Sequence, residues 1–583
     1  MIRYICHNCN ELECETSVCP NCGQRTELKE VKIYWCDHCN APSFFEVCPE
    51  CGETCSYIGN DLRPVFPQER LLLEVLQDKP FCYADKAIWN VGSNHFVVDG
   101  KKISMPFKTL RENSDVSEVI AALKQYEEKN REYEDNYYQS PTVQNFIKIN
   151  RSRLADITKD AIDYIREKAG NKSESEMFVS FSGGKDSTVV SPLVMEALSD
   201  KKSIIHIYGD TTLEYPTSQE YIKRFKQRNP FIPMLVAKNK NQDFNDLCKL
   251  IGPPSRVMRW CCTVFKTGAI TKKIDSTFKD KNQIIAFQGI RRSESLSRSK
   301  YEKESNDSKI KKQIAVEPII DWLDFDVWLY LLSNRVDFND AYKQGFSRVG
   351  CWCCPNNSGW SEFLSSIYME EEYARFKEIL YDFAKKIGKP DWDVYINNGE
   401  WKKRQGGNGL DISKKTVVSF KPCALEENTY NFELTKPITE ELYKFFKPFG
   451  YLNFDIGRKA LNEVYVLDRK TNIPILRISG RMGTSTLKIA IVGDSPYFRH
   501  KKNNEALLKA QVNKYQTCIG CTYCEAVCKF EALKVFNKEK GNVSTDTIHY
   551  SIDENKCKGC LECVTHFDNG CYINKVIRVR KDS

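Results

Sequence analysis

Cysteine offers this chain most of its chemistry: there are 26 among 583 residues, and most are adjacent or in Cys-x-x-Cys spacing. Ten lie between Cys6 and Cys55, five are Cys261, Cys262, Cys351, Cys353 and Cys354, and eight lie between Cys518 and Cys571. Pairs this tight suit metal ligation better than disulfides, and the start Met1-Ile-Arg-Tyr-Ile-Cys6 shows no secretory apolar region. Cys82, Cys248 and Cys423 stand apart and read as ordinary buried thiols.

The first group reads Cys6-His-Asn-Cys9 with Cys19-Pro-Asn-Cys22, then repeats as Cys36-Asp-His-Cys39 with Cys48-Pro-Glu-Cys51. Each turn presents two thiolates, so two turns make one tetrahedral site, and two structural Zn²⁺ ions are expected. Iron in a rubredoxin-like site is the alternative. The repeat of about 30 residues fits duplication of a unit that folds around its metal, with Cys14 and Cys55 left over.

A second kind of site is written in Met177-Phe-Val-Ser-Phe-Ser182-Gly183-Gly184-Lys185-Asp186-Ser187, followed by an apolar helical run. An apolar strand, a glycine pair and a new helix N-terminus bring free N–H groups and the helix dipole to an oxyanion, and Lys185 adds a point charge. The Walker A spacing is absent. The segment resembles the pyrophosphate loop (PP-loop) of ATP pyrophosphatases, and the text after it is similar to the phosphoadenylyl-sulfate (PAPS) reductase family over about residues 150–360. The matching pieces are Asp210-Thr211-Thr-Leu-Glu214-Tyr-Pro216, Gly289-Ile-Arg291-Arg292-Ser-Glu294-Ser295-Leu-Ser-Arg298, Glu317 to Trp328, and Tyr342 to Cys351.

That resemblance implies a nucleotide site of Ser182, Gly183, Gly184, Lys185, Asp186, Ser187, Asp210, Thr211, Gly289 and Arg298, taking Mg²⁺-ATP or a sulfonucleotide. It implies catalytic roles for Lys185, Asp186, Arg291, Arg292 and Cys353. Arg259-Trp-Cys261-Cys262-Thr-Val-Phe-Lys266 and Cys351-Trp-Cys353-Cys354 resemble the cysteine motifs of assimilatory adenylyl-sulfate reductases, which implies a 4Fe-4S cluster on Cys261, Cys262, Cys351 and Cys354. Zinc is the rival for a four-cysteine cage. Two departures matter. The loop is intact, whereas true sulfonucleotide reductases usually carry a degenerate one, and the family's C-terminal Glu-Cys-Gly-Leu/Ile-His nucleophile motif is missing. Cys353 is then the spare thiol near the pair.

Near the end, Cys518-Ile-Gly-Cys521-Thr-Tyr-Cys524-Glu-Ala-Val-Cys528 and Cys557-Lys-Gly-Cys560-Leu-Glu-Cys563 with Cys571 resemble a bacterial-type ferredoxin pair. The resemblance implies two 4Fe-4S clusters, one on Cys518, Cys521, Cys524 and Cys571, the other on Cys528, Cys557, Cys560 and Cys563. Cys571 follows a stretched spacing, and the prolines that usually follow the fourth cysteines are absent.

These sites need several frames, and 583 residues at 41% hydrophobic and 28% charged allow about three to five domains. The reading places two zinc-ribbon-like modules at 1–58 and a small β-containing domain at 59–145. That domain has a hairpin at Asp99-Gly100 and a solvated helical linker over 116–139. A PP-loop nucleotide domain follows at 146–400. After a Gly- and Lys-rich joint at about 402–416 come an α/β accessory domain at 415–505, with strands paired around Lys470-Thr-Asn, and the ferredoxin-like α+β domain at 506–583. The fold class is α/β, a parallel-sheet adenine nucleotide alpha hydrolase-like core. No run of about 20 apolar residues offers a membrane span, so a cytoplasmic protein without a membrane partner is expected. The net charge of +8 permits an anionic partner without demanding one.

Together the parts point to an iron–sulfur enzyme that binds an adenine nucleotide and an electron donor. Adenylation would be followed by sulfur transfer. DNA phosphorothioation and RNA thiolation proteins have similar loops and clusters, which suggests DNA or RNA as the sulfur acceptor. A ferredoxin-fused adenylyl-sulfate or phosphoadenylyl-sulfate reductase releasing sulfite is the second reading. A redox-sensing nucleic-acid binder is the third. A homo-oligomer or partner proteins fit any of them.

Overall fold

The run Met177–Phe181 is almost wholly apolar, as suits a strand buried on both faces of a parallel sheet, and in the computed structural model it lies at the centre of one. The structure describes residues 4–10, 12–14, 19–24, 27–28, 31–201, 203–240, 243–256, 258–295, 298–305, 310, 312–403, 419–499, 501–537 and 548–565. They form two compact units, each drawn from two stretches of chain: Met1–Ala237 with Ser276–Tyr373, and Lys238–Asp275 with Ala374–Ser583.

In the first unit the sheet runs, in spatial order, Met234–Lys238, Ile205–Asp210, Met177–Phe181, Ile284–Gln288, Gln313–Val316 and Glu304–Ser305. Phe178 pairs with Ile205, Met177 with Ile285 and Ile284 with Gln313, all in parallel, and the edge strand Glu304–Ser305 is antiparallel. The α/β fold with a parallel nucleotide-type core is therefore present. Successive strands step outward on opposite sides of Met177–Phe181, and such a switch point opens a crevice at the carboxyl ends of the strands. Helix Lys185–Ala197 leaves from that crevice and buries Val189, Val190, Leu193 and Val194. Helix Asp324–Ser333 is buried along most of its length. It is tied to helix Arg151–Ala169 by Arg153, whose Nε and Nη2 donate to Asp326 at 3.1 and 2.9 Å.

The two N-terminal modules are three-stranded antiparallel sheets, ordered Leu12–Cys14, Tyr4–Cys6, Glu27–Leu28 and Ala41–Ser43, Ile33–Cys36, Ser56–Gly59. A four-stranded antiparallel sheet follows, with Lys101–Ser104 at one edge and Arg63–Pro64 at the other. Its hairpin turns at Asp99 and Gly100, both left-handed, as a tight two-residue turn of matching twist requires. The segment read as a solvated linker is helix Val116–Asn136, but it is docked: Asn130 is buried and accepts a 2.7 Å hydrogen bond from Arg70. A polar side chain with a buried partner is invisible to a reading based on surface charge.

The second unit carries a six-stranded antiparallel sheet, from Ser419–Pro422 at one edge to Tyr451–Asn453 at the other. Val464–Leu467 and Pro474–Ser479 pair around Lys470-Thr-Asn. Helix Lys501–Thr517 leads into the first C-terminal cysteine run, and Leu533–Asn537 pairs with Ile548–Ile552. Most of the Gly- and Lys-rich joint, and Cys571, lie outside the described residues. Of the three isolated cysteines Cys248 is buried, but Cys82 is exposed and Cys423 half-buried, which corrects their reading as buried thiols. No helix among the described residues is long and apolar enough to cross a membrane.

The Arg153–Asp326 pair gives a stability test. Asp326 is wholly buried, and removing one partner of a buried ion pair costs about 3–5 kcal/mol. Arg153→Met should lower the urea midpoint by a corresponding amount, and an unchanged midpoint would show that the pair does not hold these helices.

Candidate active site and metal centres

The nucleotide loop joins a strand end to a helix start. Gly183 is left-handed, with φ +73°, and Gly184 caps helix Lys185–Ala197. The loop closes on itself: Ser182 N–H donates to Ser187 Oγ at 3.2 Å, Ser187 Oγ donates to Gly184 O at 2.9 Å, and the two serine hydroxyls are 3.1 Å apart. Lys185 N–H donates to Tyr342 Oη at 2.9 Å. Gly289, at the end of the neighbouring strand, presses on the start of this helix. A Cβ there would lie 2.6 Å from the Asp186 carbonyl carbon and 2.7 Å from Ser187 N.

Behind the loop is a cluster of charges. Lys185 is 3% exposed, and its Nζ lies 3.3 Å from Asp324, 3.9 Å from Asp186 and 3.3 Å from the Ser347 carbonyl. Arg291 donates to Asp186 and to Asp324 at 2.5 Å each. Asp61 closes the cluster by accepting the N–H groups of Asp324 and Phe325 at 3.0 Å each, which caps helix Asp324–Ser333. Burial disfavours the charges on Lys185 and Arg291, yet the facing carboxylates raise both above their ordinary values. Asp324 is brought down to about 2 because Lys185 and Arg291 outweigh its burial. Asp61 is pushed up to about 7, by burial first and then by the charge of Asp324.

The other two arginines are placed differently. Arg292 is paired with Asp321, and its Nε donates to the Tyr301 carbonyl at 3.0 Å. Arg298 is paired with Glu294, and it is held below its usual value by burial and then by the like charge of Arg348. Asp61, Asp324, Tyr342 and Arg348 were missed as site residues from sequence. Asp324 and Arg348 lie inside segments that match the family pattern, while an Asp at position 61 carries no local signal.

The second strand end meets the cysteine loop. Asp210 Oδ1 accepts from Thr212 N–H at 2.9 Å, and the Thr211 hydroxyl donates to Glu214 at 2.6 Å. Thr211 Oγ1 is 3.8 Å from Cys351 Sγ, Glu214 forms an isolated antiparallel bridge with Cys351, and Trp352 N–H donates to Leu213 O at 3.0 Å. Burial raises Glu214. Cys351 and Cys354 are half-buried, and Cys353 is buried. Of the predicted core ligands, Cys351 and Cys354 belong to the first unit and Cys261 and Cys262 to the second. Cys261 is half-buried and Cys262 exposed, at the start of a π-helical turn Cys262–Thr267 that contains Lys266.

The N-terminal cysteines close into two cages. Cys6–Cys22 and Cys9–Cys19 are 3.4 and 3.9 Å apart, and Cys36–Cys51 and Cys39–Cys48 repeat those distances. A tetrahedral ion with Zn–S bonds of about 2.3 Å has edges of about 3.8 Å, so both sets fit zinc. In the second set burial raises the Cys36 and Cys39 thiols, whereas at Cys48 the N–H groups of Cys51 and Glu50 outweigh burial and bring it below the ordinary value.

In the C-terminal region Cys518, Cys521 and Cys524 are buried. The two runs share a backbone signature: Gly520 and Thr522 flank Cys521 with left-handed φ of 77° and 57°, and Gly559 and Leu561 flank Cys560 with 63° and 57°. Burial and then Cys528 raise the Cys560 thiol, and burial and then Cys524 and Cys528 raise that of Cys563, so the two runs lie near one another.

Two outcomes are expected at the loop. Overpacking costs about 1–3 kcal/mol, so Gly289→Ala should lower the urea midpoint by a corresponding amount. A parent-like midpoint would mean that the contact does not seat the loop. Asp61 is raised in the folded state, so its contribution to stability is present below its ordinary value of 3.8 and is lost as pH rises through about 7. Asp61→Asn does not ionise but keeps only one of the two oxygen acceptors, so it should flatten that fall at a lower overall stability, and a slope equal to the parent's would exclude Asp61 as its source.

Residues 176–357 match the phosphoadenosine phosphosulfate reductase domain, and residues 517–566 match the 4Fe-4S dicluster domain. An uncharacterized protein of Methanocaldococcus jannaschii is 29% identical over 256 residues, 44% of this chain and 51% of its own, so the chain spans about half that relative's length. The adenosine 5′-phosphosulfate reductase of Shouchella clausii is 24% identical over 204 residues, 34% of this chain and 77% of its own. Among solved structures, the U34-tRNA thiolase of Methanococcus maripaludis with its [4Fe-4S] cluster aligns over 43% of this chain and 80% of its own, at 16% identity and TM-score 0.25. The chain therefore joins a PAPS reductase domain with a parallel nucleotide-type sheet to a 4Fe-4S dicluster domain, and carries two N-terminal cysteine clusters consistent with zinc ribbons.

Proposed function

We propose that this chain is an iron–sulfur enzyme that binds Mg²⁺-ATP at the Ser182–Ser187 loop and couples adenylation to sulfur transfer at a cluster held by Cys261, Cys262, Cys351 and Cys354. The observation that carries this reading is the stitching of the Asp210–Pro216 turn to the Cys351 loop, through Thr211, Leu213 and Glu214. It sets two of the proposed cluster ligands at the same strand ends as the nucleotide loop. The core cluster itself rests on the cysteine spacing in the sequence.

In this reading the loop N–H groups and Lys185 bind the β- and γ-phosphates. An acceptor oxygen attacks the α-phosphorus, pyrophosphate leaves, and Arg298 and Arg348 stabilise the anionic end of the substrate. Sulfide then forms the new carbon–sulfur bond as the carbon–oxygen bond breaks and AMP departs. A 4Fe-4S group bound at these cysteines would hold the sulfide for that displacement, which consumes no electrons. A nucleic acid is the acceptor class we favour, and the intact loop supports ATP over a sulfonucleotide, which lacks the β- and γ-phosphates.

A second reading is favoured by the relative named an adenosine 5′-phosphosulfate reductase and by the fused electron module. Here two electrons, supplied through the dicluster domain, cleave the sulfur–oxygen bond of a sulfonucleotide, releasing sulfite and the nucleotide.

Anaerobic competition among Mg²⁺-ATP, adenylyl sulfate and 3′-phosphoadenylyl sulfate, with iron and zinc quantified on the same sample, separates the two. ATP preference is expected; sulfonucleotide preference, with sulfite released on reduction, selects the second reading. Lys185→Ala should lose ATP binding with iron unchanged, and Cys262→Ser should lose about four irons per chain with ATP binding intact.

A further inference from the structure

The second unit contains a contact that neither reading has used. Tyr523 lies in the first C-terminal cysteine run, between Cys521 and Cys524, on the short helix Tyr523–Ala526. Its hydroxyl donates to Thr263 Oγ1 at 2.6 Å. Thr263 is the residue directly after Cys261-Cys262, inside the π-helical turn Cys262–Thr267. Turns of this kind widen the helix by one residue and are frequent at functional sites. The thiols of Cys521, Cys262 and Cys261 all act electrostatically on the Tyr523 phenol, so the two cysteine segments approach it together.

Gly268 makes the approach close. A Cβ at this position would lie 2.8 Å from the Ala526 carbonyl oxygen and 2.8 Å from the Thr263 carbonyl oxygen. The missing side chain lets the cysteine-bearing helix of the dicluster domain press its backbone against the helix that continues from Cys261-Cys262. Tyr523 is largely buried at 9% exposure. The contact joins residues 260 apart in sequence, between two segments that each carry proposed iron–sulfur ligands.

We propose that this contact is the electron entry to the nucleotide-linked cysteines: Tyr523, Thr263 and Gly268 dock the Cys518-Cys521-Cys524 site against Cys261-Cys262, making the dicluster domain a built-in donor. The inference rests on the reading above that Cys261 and Cys262 hold an iron–sulfur group. Each transfer moves one electron, with no bond made or broken. The Cys518-Cys521-Cys524 site is oxidised by one, the Cys261-Cys262 site is reduced by one, and an external low-potential reductant restores the first. The Cys528-Cys557-Cys560-Cys563 site is then the outer one, which receives electrons from that reductant.

The test uses the full chain, reconstituted anaerobically with iron and sulfide, and reads electron paramagnetic resonance after reduction with dithionite. The parent should show magnetic coupling beyond that between the two sites of the dicluster domain, and Cys262→Ser should abolish this extra coupling. Gly268→Val should diminish it at full iron content by forcing the helices apart. Tyr523→Phe keeps the ring and removes the hydrogen bond, and after rapid mixing with dithionite and freezing it should slow the appearance of the Cys261-Cys262 signal while the dicluster signals rise as in the parent. Should Gly268→Val fail to fold, Tyr523→Phe decides. Full iron with neither coupling nor rate altered in the folded variants overturns the relay and leaves the proposed function standing. If Cys262→Ser loses no iron, Cys261-Cys262 holds no cluster, and both fail together.

Discussion

The nucleotide end of the first unit depends on one buried arrangement of charge, Lys185 and Arg291 set against Asp186, Asp324 and Asp61. It reaches the loop, the end of strand Ile284–Gln288, the start of helix Asp324–Ser333 and the N-terminal segment that carries Asp61. Two cations face three carboxylates, so the group is closest to neutral when Asp61 holds a proton, the state toward which burial and Asp324 drive it. Removing one member leaves an uncompensated charge in a poorly hydrated place, which is why the elements are held as a set. It also holds Lys185 in one position, with its N–H on Tyr342 and its Nζ on the Ser347 carbonyl.

The same strand edge links the Ser182–Ser187 loop to thiols. Ser347, which accepts from Lys185, lies four residues before Cys351, and Cys351 is bridged to Glu214 on the adjoining turn. Arg298 and Arg348 stand nearby as like charges whose repulsion an anion would relieve.

What could be read from sequence was local. The loop, the strand before it, the four-cysteine cages and the Asp99-Gly100 hairpin each occupy a few tens of residues, and their spacing is itself the geometric requirement. What could not be read was long-range. Asp61 caps a helix more than 260 residues away, Arg70 holds Asn130 across 60 residues, and Tyr523 meets Thr263 across 260. None of these residues stands out by periodicity, and each works through a partner the sequence does not mark. The division into units is of the same kind: residues 238–275 pack with the C-terminal region while their neighbours on both sides complete the parallel sheet. A reading by contiguous segments has no signal for such interleaving.

The placement of the arginines bears on the substrate. Family resemblance sends Arg291 and Arg292 to an anion, yet Arg291 is 2% exposed and bridges Asp186 to Asp324, and Arg292 is paired with Asp321. A buried guanidinium with two carboxylates serves best by fixing Asp186 and, through Gly289, the start of the loop helix. Arg348 is exposed and Arg298 only partly buried, so the more exposed positive charge lies toward the cysteine loop rather than behind the Ser182–Ser187 loop. A substrate with a polyphosphate at one end and a second anionic group at the other would satisfy both places. Adenylation of a phosphate-bearing acceptor by ATP has that charge distribution, whereas a sulfonucleotide alone would leave the intact loop partly unfilled.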